Sequence, residues 1–181
     1  CRRRPIAAAC RPRPKIRSKQ IHFVEIPKCS SMSIRVKLEA EVDIKSSGDL
    51  FHELFGSKPH EVSNISPEKI HACDLHEGQF GKTGSVLCWH YTVGGKKSVM
   101  KHIVEIDGEN KLVRFESIEG DLLNDYKSLI TSCHVIPKGE VTSVKWIFEF
   151  EKMHDDGPYP SKELDLAIAL TRDIEAHHLK V

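Results

Sequence analysis

The sequence predicts an antiparallel α+β domain, and three features carry that reading. Residues 34–44 alternate strictly between apolar and polar side chains, the period of a half-buried strand. Six more strand patterns follow, with no helical pattern between them long enough to cross over to a parallel neighbour. A single long amphipathic helix pattern then closes the chain.

In the first strand, period two places Ile34, Val36, Leu38, Ala40, Val42 and Ile44 on one face. Ser46-Ser47-Gly48-Asp49 offers helix caps ahead of Leu50, Phe51, Leu54 and Phe55, and Gly56 ends that short helix. A second short helix is expected at 59–64. Strands are expected near 70–77, 85–93, 97–107, 112–119 and 128–136, with turn signals at Gly94-Gly95 and Asp107-Gly108. The seventh strand, 142–152, is the clearest. Val144, Trp146, Phe148 and Phe150 share one face there, and Lys145, Glu149 and Glu151 share the other. Pro158 and Pro160 break the chain, and Ser161 is expected to cap a helix reaching about residue 179, with Glu163 and Asp165 near its positive end. Asp165, Ala169, Arg172 and Ala176 form its solvated stripe. Leu164, Leu166, Ala167, Ile168, Leu170 and Ile174 cover most of the rest, an apolar surface broad enough to lie over something apolar.

At 181 residues the chain suits one domain, and its 39% hydrophobic and 29% charged residues are those of a globular protein. The net charge of +1 hides an asymmetry. Residues 1–31 carry nine Lys or Arg against the one acid Glu25, whereas the remainder is net acidic. An acidic domain is a poor general binder of nucleic acid, so no specific nucleic-acid partner is expected. The basic head, with four prolines, contains no apolar run long enough for a signal-peptide core or a membrane span. Because Met32 opens the first clean strand pattern, residues 1–31 are expected to be a disordered or non-native extension and 32–181 the folded domain. An organelle transit peptide and a genuine basic arm are the alternatives. Cys1, Cys10 and Cys29 lie in the head. Cys73, Cys88 and Cys133 lie in the domain and read as reduced cytoplasmic thiols, although Cys73 and Cys88 are placed where a hairpin could bring them together.

Five segments carry a family resemblance. They are Lys37-Leu-Glu-Ala-Glu-Val-Asp-Ile-Lys-Ser46, Cys73-Asp-Leu-His-Glu-Gly78, Ser85-Val-Leu-Cys-Trp-His-Tyr-Thr92, Ile118-Glu-Gly-Asp-Leu-Leu123 and Thr171-Arg-Asp-Ile-Glu-Ala-His177. Together they resemble the plant major latex proteins, a branch of the birch-pollen-allergen (Bet v 1-like, START-like) superfamily, from about Val36 to Lys180. The resemblance implies a helix-grip fold: a curved seven-stranded antiparallel sheet wrapped around the long C-terminal helix, with two short helices propping it. Between sheet and helix it implies a cavity for hydrophobic plant metabolites.

By alternation and by that family pattern, Leu87, Trp89 and Tyr91 are expected to line the cavity. Val113, Phe115 and Ser117 join them from another strand, and Val144, Trp146, Phe148 and Phe150 from the last. The helix contributes Leu164, Ala167, Ile168 and Thr171. Asp74 and His76 share a strand face and are candidates to orient a ligand, as is the Tyr91 hydroxyl, because a buried polar group left unpaired costs about 1–3 kcal/mol. Gly78, Gly81 and Gly84 correspond to the family's Gly-rich loop. Gly81-Lys82-Thr83 invites a phosphate-loop reading, but that motif needs glycine at position 76, which is His76, and a helix afterwards. The glycines are instead expected to supply positive-φ turns, with Lys82 a weak anion site at most. No metal or cofactor is expected, because no His pair sits four apart on one helix.

Three functions compete. The first is a monomeric, non-enzymatic carrier of small hydrophobic metabolites (steroid, flavonoid, cytokinin or fatty-acid-like), linked by the resemblance to defence and stress. The second is an enzyme of the same fold, either condensing, with Lys101 and Asp74 as the nameable pair, or ribonuclease-like. The third is a hormone receptor. The related abscisic-acid receptors carry a Ser-Gly-Leu-Pro gate where this chain reads Thr92-Val-Gly-Gly-Lys-Lys97, which disfavours it.

Overall fold

The protein is described by a computed structural model covering residues 16–25 and 34–179. Eight strands form one antiparallel sheet: β1 (Ile16–Glu25), β2 (Ile34–Ile44), β3 (Ile70–Glu77), β4 (Val86–Val93), β5 (Lys96–Asp107), β6 (Leu112–Gly120), β7 (Tyr126–Lys138) and β8 (Val141–Lys152). Their spatial order is β1-β2-β8-β7-β6-β5-β4-β3. Helices α1 (Gly48–Gly56) and α2 (Val62–Ile65) connect β2 to β3, and α3 (Ser161–His178) closes the chain. The seven strands expected from the sequence are all present. The eighth, β1, lies in the basic head and pairs along β2, from Ile16 opposite Val42 to Glu25 opposite Ile34. Met32, the expected start of the domain, and the head cysteines lie outside the described residues.

The sheet curves around a core on its inner face. Val36, Leu38, Ala40, Val42 and Ile44 of β2 are all buried, as are Val144, Trp146, Phe148 and Phe150 of β8. Their register explains how large rings fit. Small Ala40 lies opposite Trp146, while Leu38 lies opposite Phe148. Size is thus compensated across the strand pair, as dense packing requires.

Ser47 caps α1 by accepting the Asp49 N–H at 3.3 Å. The helix is pressed so closely onto the sheet that Gly48 is required by space alone. A Cβ there would stand 2.4 Å from Val135 Cγ1 and 2.8 Å from Thr142 Cγ2. The second expected helix is a 3-10 turn, Pro59–Glu61, running into α2. At α3 the N-cap is Pro160 and Ser161 is the first helical residue, without a side-chain cap. Proline tolerates that position because its carbonyl is free to accept, and Leu164 N–H donates to it at 3.1 Å.

The loop between β3 and β4 is built on glycine as expected: Gly78, Gly81 and Gly84 have φ of 90°, 80° and 88°. No helix follows it, and Lys82 is exposed. Cys73 and Cys88 do not face one another. Cys73 is opposite Trp89 and buried, Cys88 is opposite Asp74 on the outer face, and both are free thiols. Adjacent positions on paired strands point to opposite faces, so a disulfide between them has no path.

Gly48→Ala is expected to lower unfolding free energy by about 1–3 kcal/mol, read from urea denaturation, because the added methyl overpacks the α1–sheet contact. A stability equal to the parent protein would mean that α1 lifts away from Val135 at no cost.

Candidate functional site

The grip of sheet on helix rests on a buried polar bridge. Trp146 Nε1–H donates to Thr171 Oγ1 at 2.8 Å, and the same hydroxyl donates to the Ala167 carbonyl at 2.9 Å. Three further hydrogen bonds secure the same half of α3. Asp173 accepts from Lys69 Nζ at 2.6 Å and Ser66 Oγ at 2.5 Å, and Glu175 accepts the Lys45 backbone N–H at 2.8 Å.

Alongside this anchored stripe runs a second one. Glu163, Leu166, Ala167 and Leu170 follow i, i+3, i+4, i+7 and face a cavity of about 110 Å³. Across from them stand Trp89 and Tyr91 of β4, His102 of β5, Phe115 of β6, Leu129 and Thr131 of β7, and Trp146 and Phe148 of β8. Phe55, Ile70 and Leu122 complete the wall. Five members are half-buried: His102 and Thr131 on the sheet, and Leu122, Glu163 and Leu166, which form the rim. The rings pack edge to face, with Phe55 on Trp146 at 5.1 Å, Trp89 on Phe115 at 6.0 Å and His102 on Phe115 at 5.9 Å. This geometry fixes each ring against its neighbour.

Six of the residues expected in the wall are there: Trp89, Tyr91, Phe115, Trp146, Phe148 and Ala167. Leu87, Val113, Ser117, Val144 and Phe150 face inward and are buried, but they pack in the core beyond the cavity. Phe150, for example, packs edge to face with Tyr126 at 5.4 Å and with Tyr159 at 5.9 Å. Leu164, Ile168 and Thr171 belong to the anchored stripe of α3, one row round from the cavity stripe. Asp74 and His76 are corrections: both are exposed on the outer face. A register shift between Ile70 and Ala72 reverses the phase of β3, so that Ile70 and Cys73, three apart, both point inward. Asp74 meets His90 Nε2 at 3.4 Å outside the sheet. Lys101 is likewise outside, paired with Glu119 at 2.8 Å. The Lys–carboxylate pair named for condensation therefore does not meet in the cavity.

Of the polar residues that line it, Tyr91 was singled out from the sequence, whereas His102, Thr131 and Glu163 were not. His102 was within reach, since Ser98, Met100, His102 and Val104 share the inward parity of β5. Glu163 stands one turn before Ala167. Burial pushes the His102 imidazole down from its ordinary 6.5 to about 4, so it is neutral. Burial raises the Glu163 carboxyl, assisted by Asp125. The Tyr91 and Tyr126 hydroxyls are raised as well, by burial first and the Glu163 charge second. Cys73 and Cys133 are held as thiols by burial, which makes them poor nucleophiles.

This arrangement has relatives. The sequence model of the Pathogenesis-related protein Bet v 1 family matches residues 33–181. The chain belongs to the Bet v 1 family. It is 42% identical to MLP-like protein 43 of Arabidopsis thaliana over 146 residues, which are 79% of this chain and 92% of that one. Ginseng major latex-like protein 151 from Panax ginseng superposes with a TM-score of 0.78 at 47% identity, over 80% of this chain and 98% of that structure. Norcoclaurine synthase from Thalictrum flavum shares the fold alone, with a TM-score of 0.63 at 17% identity over 82% of this chain and 89% of that one. Within this Bet v 1 domain, no helix among the described residues is long and apolar enough to cross a membrane.

Thr171→Val, which keeps the shape but strands the Trp146 N–H, is expected to cost about 1–3 kcal/mol in urea denaturation. Thr171→Ser should lose less, because the hydroxyl remains. In an NMR titration the His102 ring should have its midpoint at about 4. Its folded pKa lies below the unfolded value, so the unfolded chain takes up a proton first. Its contribution to stability is thus full above the unfolded pKa of 6.5 and is lost as pH falls toward 4. Glu163, shifted upward, acts in the opposite sense. Replacing His102 with Phe should remove only the histidine component of the pH dependence.

Proposed function

We propose that the protein is a non-enzymatic carrier that binds one small hydrophobic plant metabolite beneath the N-terminal half of α3. It acts as a monomer in the cytoplasm and serves defence or stress responses, as its family's description suggests. The observation that carries this reading is the cavity itself, walled by Phe55, Trp89, Tyr91, Phe115, Trp146 and Phe148 and by the aliphatic stripe of α3. An apolar void of this kind holds water poorly and accepts an apolar guest; an engineered cavity of about 150 Å³ in another protein takes up benzene. A body larger than one or two rings must displace the rim residues Leu122 and Leu166. Affinity comes from area removed from water. At about 25 cal/mol per Å², a micromolar complex of about 8 kcal/mol needs at least roughly 300 Å² of buried apolar surface before the cost of immobilisation. With Lys101 and Asp74 on the outer face, the described residues of the sheet supply no lysine to the cavity for condensation chemistry.

The test is a fluorescence and thermal-shift titration of the full chain with steroids, flavonoids, cytokinins and fatty acids, in the parent and in Ala167→Phe. Trp89 and Trp146 stand in the wall and report occupancy. One class is expected to give a saturable signal that Ala167→Phe weakens at least about tenfold by filling the space the guest needs, with the fold retained. Equal binding by the variant would place the ligand elsewhere.

A further inference from the structure

Two buried polar atoms on the inner face of the sheet have no hydrogen-bond partner among the described residues: His102 Nδ1 and Ser117 Oγ. They are neighbours. His102 on β5 and Ser117 on β6 are directly paired positions, and both side chains point inward. Their Cβ atoms are therefore about 5 Å apart, close enough for the two side chains to meet. The pairing arises at an irregularity. The register runs from Lys101 opposite Glu119 to His102 opposite Ser117, leaving Ile118 without a partner. A bulge of this kind re-aims side chains, and here it brings a serine beside a histidine that lines the cavity. Leaving two such atoms unpaired costs free energy that an apolar pair would not, so their presence calls for a partner.

We propose that His102, backed by Ser117, is the hydrogen-bonding anchor for an uncharged hydroxyl or carbonyl group on an otherwise apolar ligand. This rests on the carrier reading and narrows it. A neutral imidazole offers one donor and one acceptor, and Ser117 can complement either tautomer. When the ligand presents a hydroxyl, its O–H donates to the ring and the opposite ring N–H donates to Ser117 Oγ. When it presents a carbonyl, the ring N–H donates to the ligand and the serine O–H donates to the ring. Either way both orphan atoms gain partners on binding. The same wall discriminates against anions. Among the described residues no Lys or Arg lines the cavity, and the one acidic residue there is Glu163. A carboxylate head would thus enter without a countercharge.

The experiment uses three guests on one frame: 2-naphthol, 2-methylnaphthalene and 2-naphthoate, titrated calorimetrically at neutral pH into the full chain and into His102→Phe and Ser117→Ala. His102→Phe is expected to weaken 2-naphthol about tenfold and Ser117→Ala severalfold, with 2-methylnaphthalene unchanged within about twofold and 2-naphthoate weakest throughout. Both variants should be at least as stable as the parent in urea, because each removes an unpaired group. Should His102→Phe fail to fold, the parent still decides the matter. Saturating 2-naphthol should shift the ¹⁵N resonances of the His102 ring, and 2-methylnaphthalene should not. The inference is overturned if the ring resonances stay fixed under 2-naphthol, or if His102→Phe weakens both neutral guests alike. In those cases the carrier reading survives. If none of the three guests binds, the cavity reading fails and this inference fails with it.

Discussion

The domain depends on one hydrogen-bonded bridge between its two halves, the Trp146 indole on the Thr171 hydroxyl. A sheet curved around a helix has more inner surface than the helix can cover, and hydrophobic contact alone does not say how the helix is turned. The bridge does. It sets one stripe of α3 firmly against the sheet, with Asp173 and Glu175 reinforcing the same end, and so leaves the adjacent stripe facing space. The cavity is what remains once that rotation is imposed. Its position toward the N-terminal half of the helix follows from the anchors lying toward the C-terminal half.

The cavity is apolar in area but not in character. Its ring faces and aliphatic groups supply non-directional attraction, while a neutral imidazole in the wall and a carboxyl at the rim supply direction. Both ionisable groups are displaced toward their uncharged forms by burial, which is the response of a site that excludes water. A low-dielectric wall with few hydrogen-bonding groups discriminates poorly on shape and strongly on polarity, since a mismatched polar atom has nowhere to go.

Most of the architecture was legible in the chain because its signals were redundant. Each of β2, β4 and β8 carries consecutive alternate apolar residues on its inner face, Val36 to Ile44, Leu87 to Tyr91 and Val144 to Phe150, and the structure buries all of these. Three things were not legible. The phase of β3 is reversed by a shift between Ile70 and Ala72, and a strand of only eight residues carries too few alternations to reveal it, so Asp74 and His76 emerged on the wrong side. The apolar surface of α3 spans two adjacent stripes, and composition cannot decide which one is anchored. That choice is made by Thr171, a residue whose sequence neighbours give no hint of the indole it meets. Finally, the strand Ile16–Glu25 sits in a segment whose basic charge dominates its weak alternation, so edge pairing with β2 was invisible from composition.

The inward placement of Cys73 and Cys133 has a consequence of a different kind. Neither sulfur meets solvent while the sheet and helix stay closed, and burial keeps both in the protonated, unreactive form. Any soluble alkylating reagent must therefore wait for the domain to open, and the rate at which these thiols are consumed measures how often it does so. The molecule thus carries its own clock, ticking at the frequency with which its interior is unsealed.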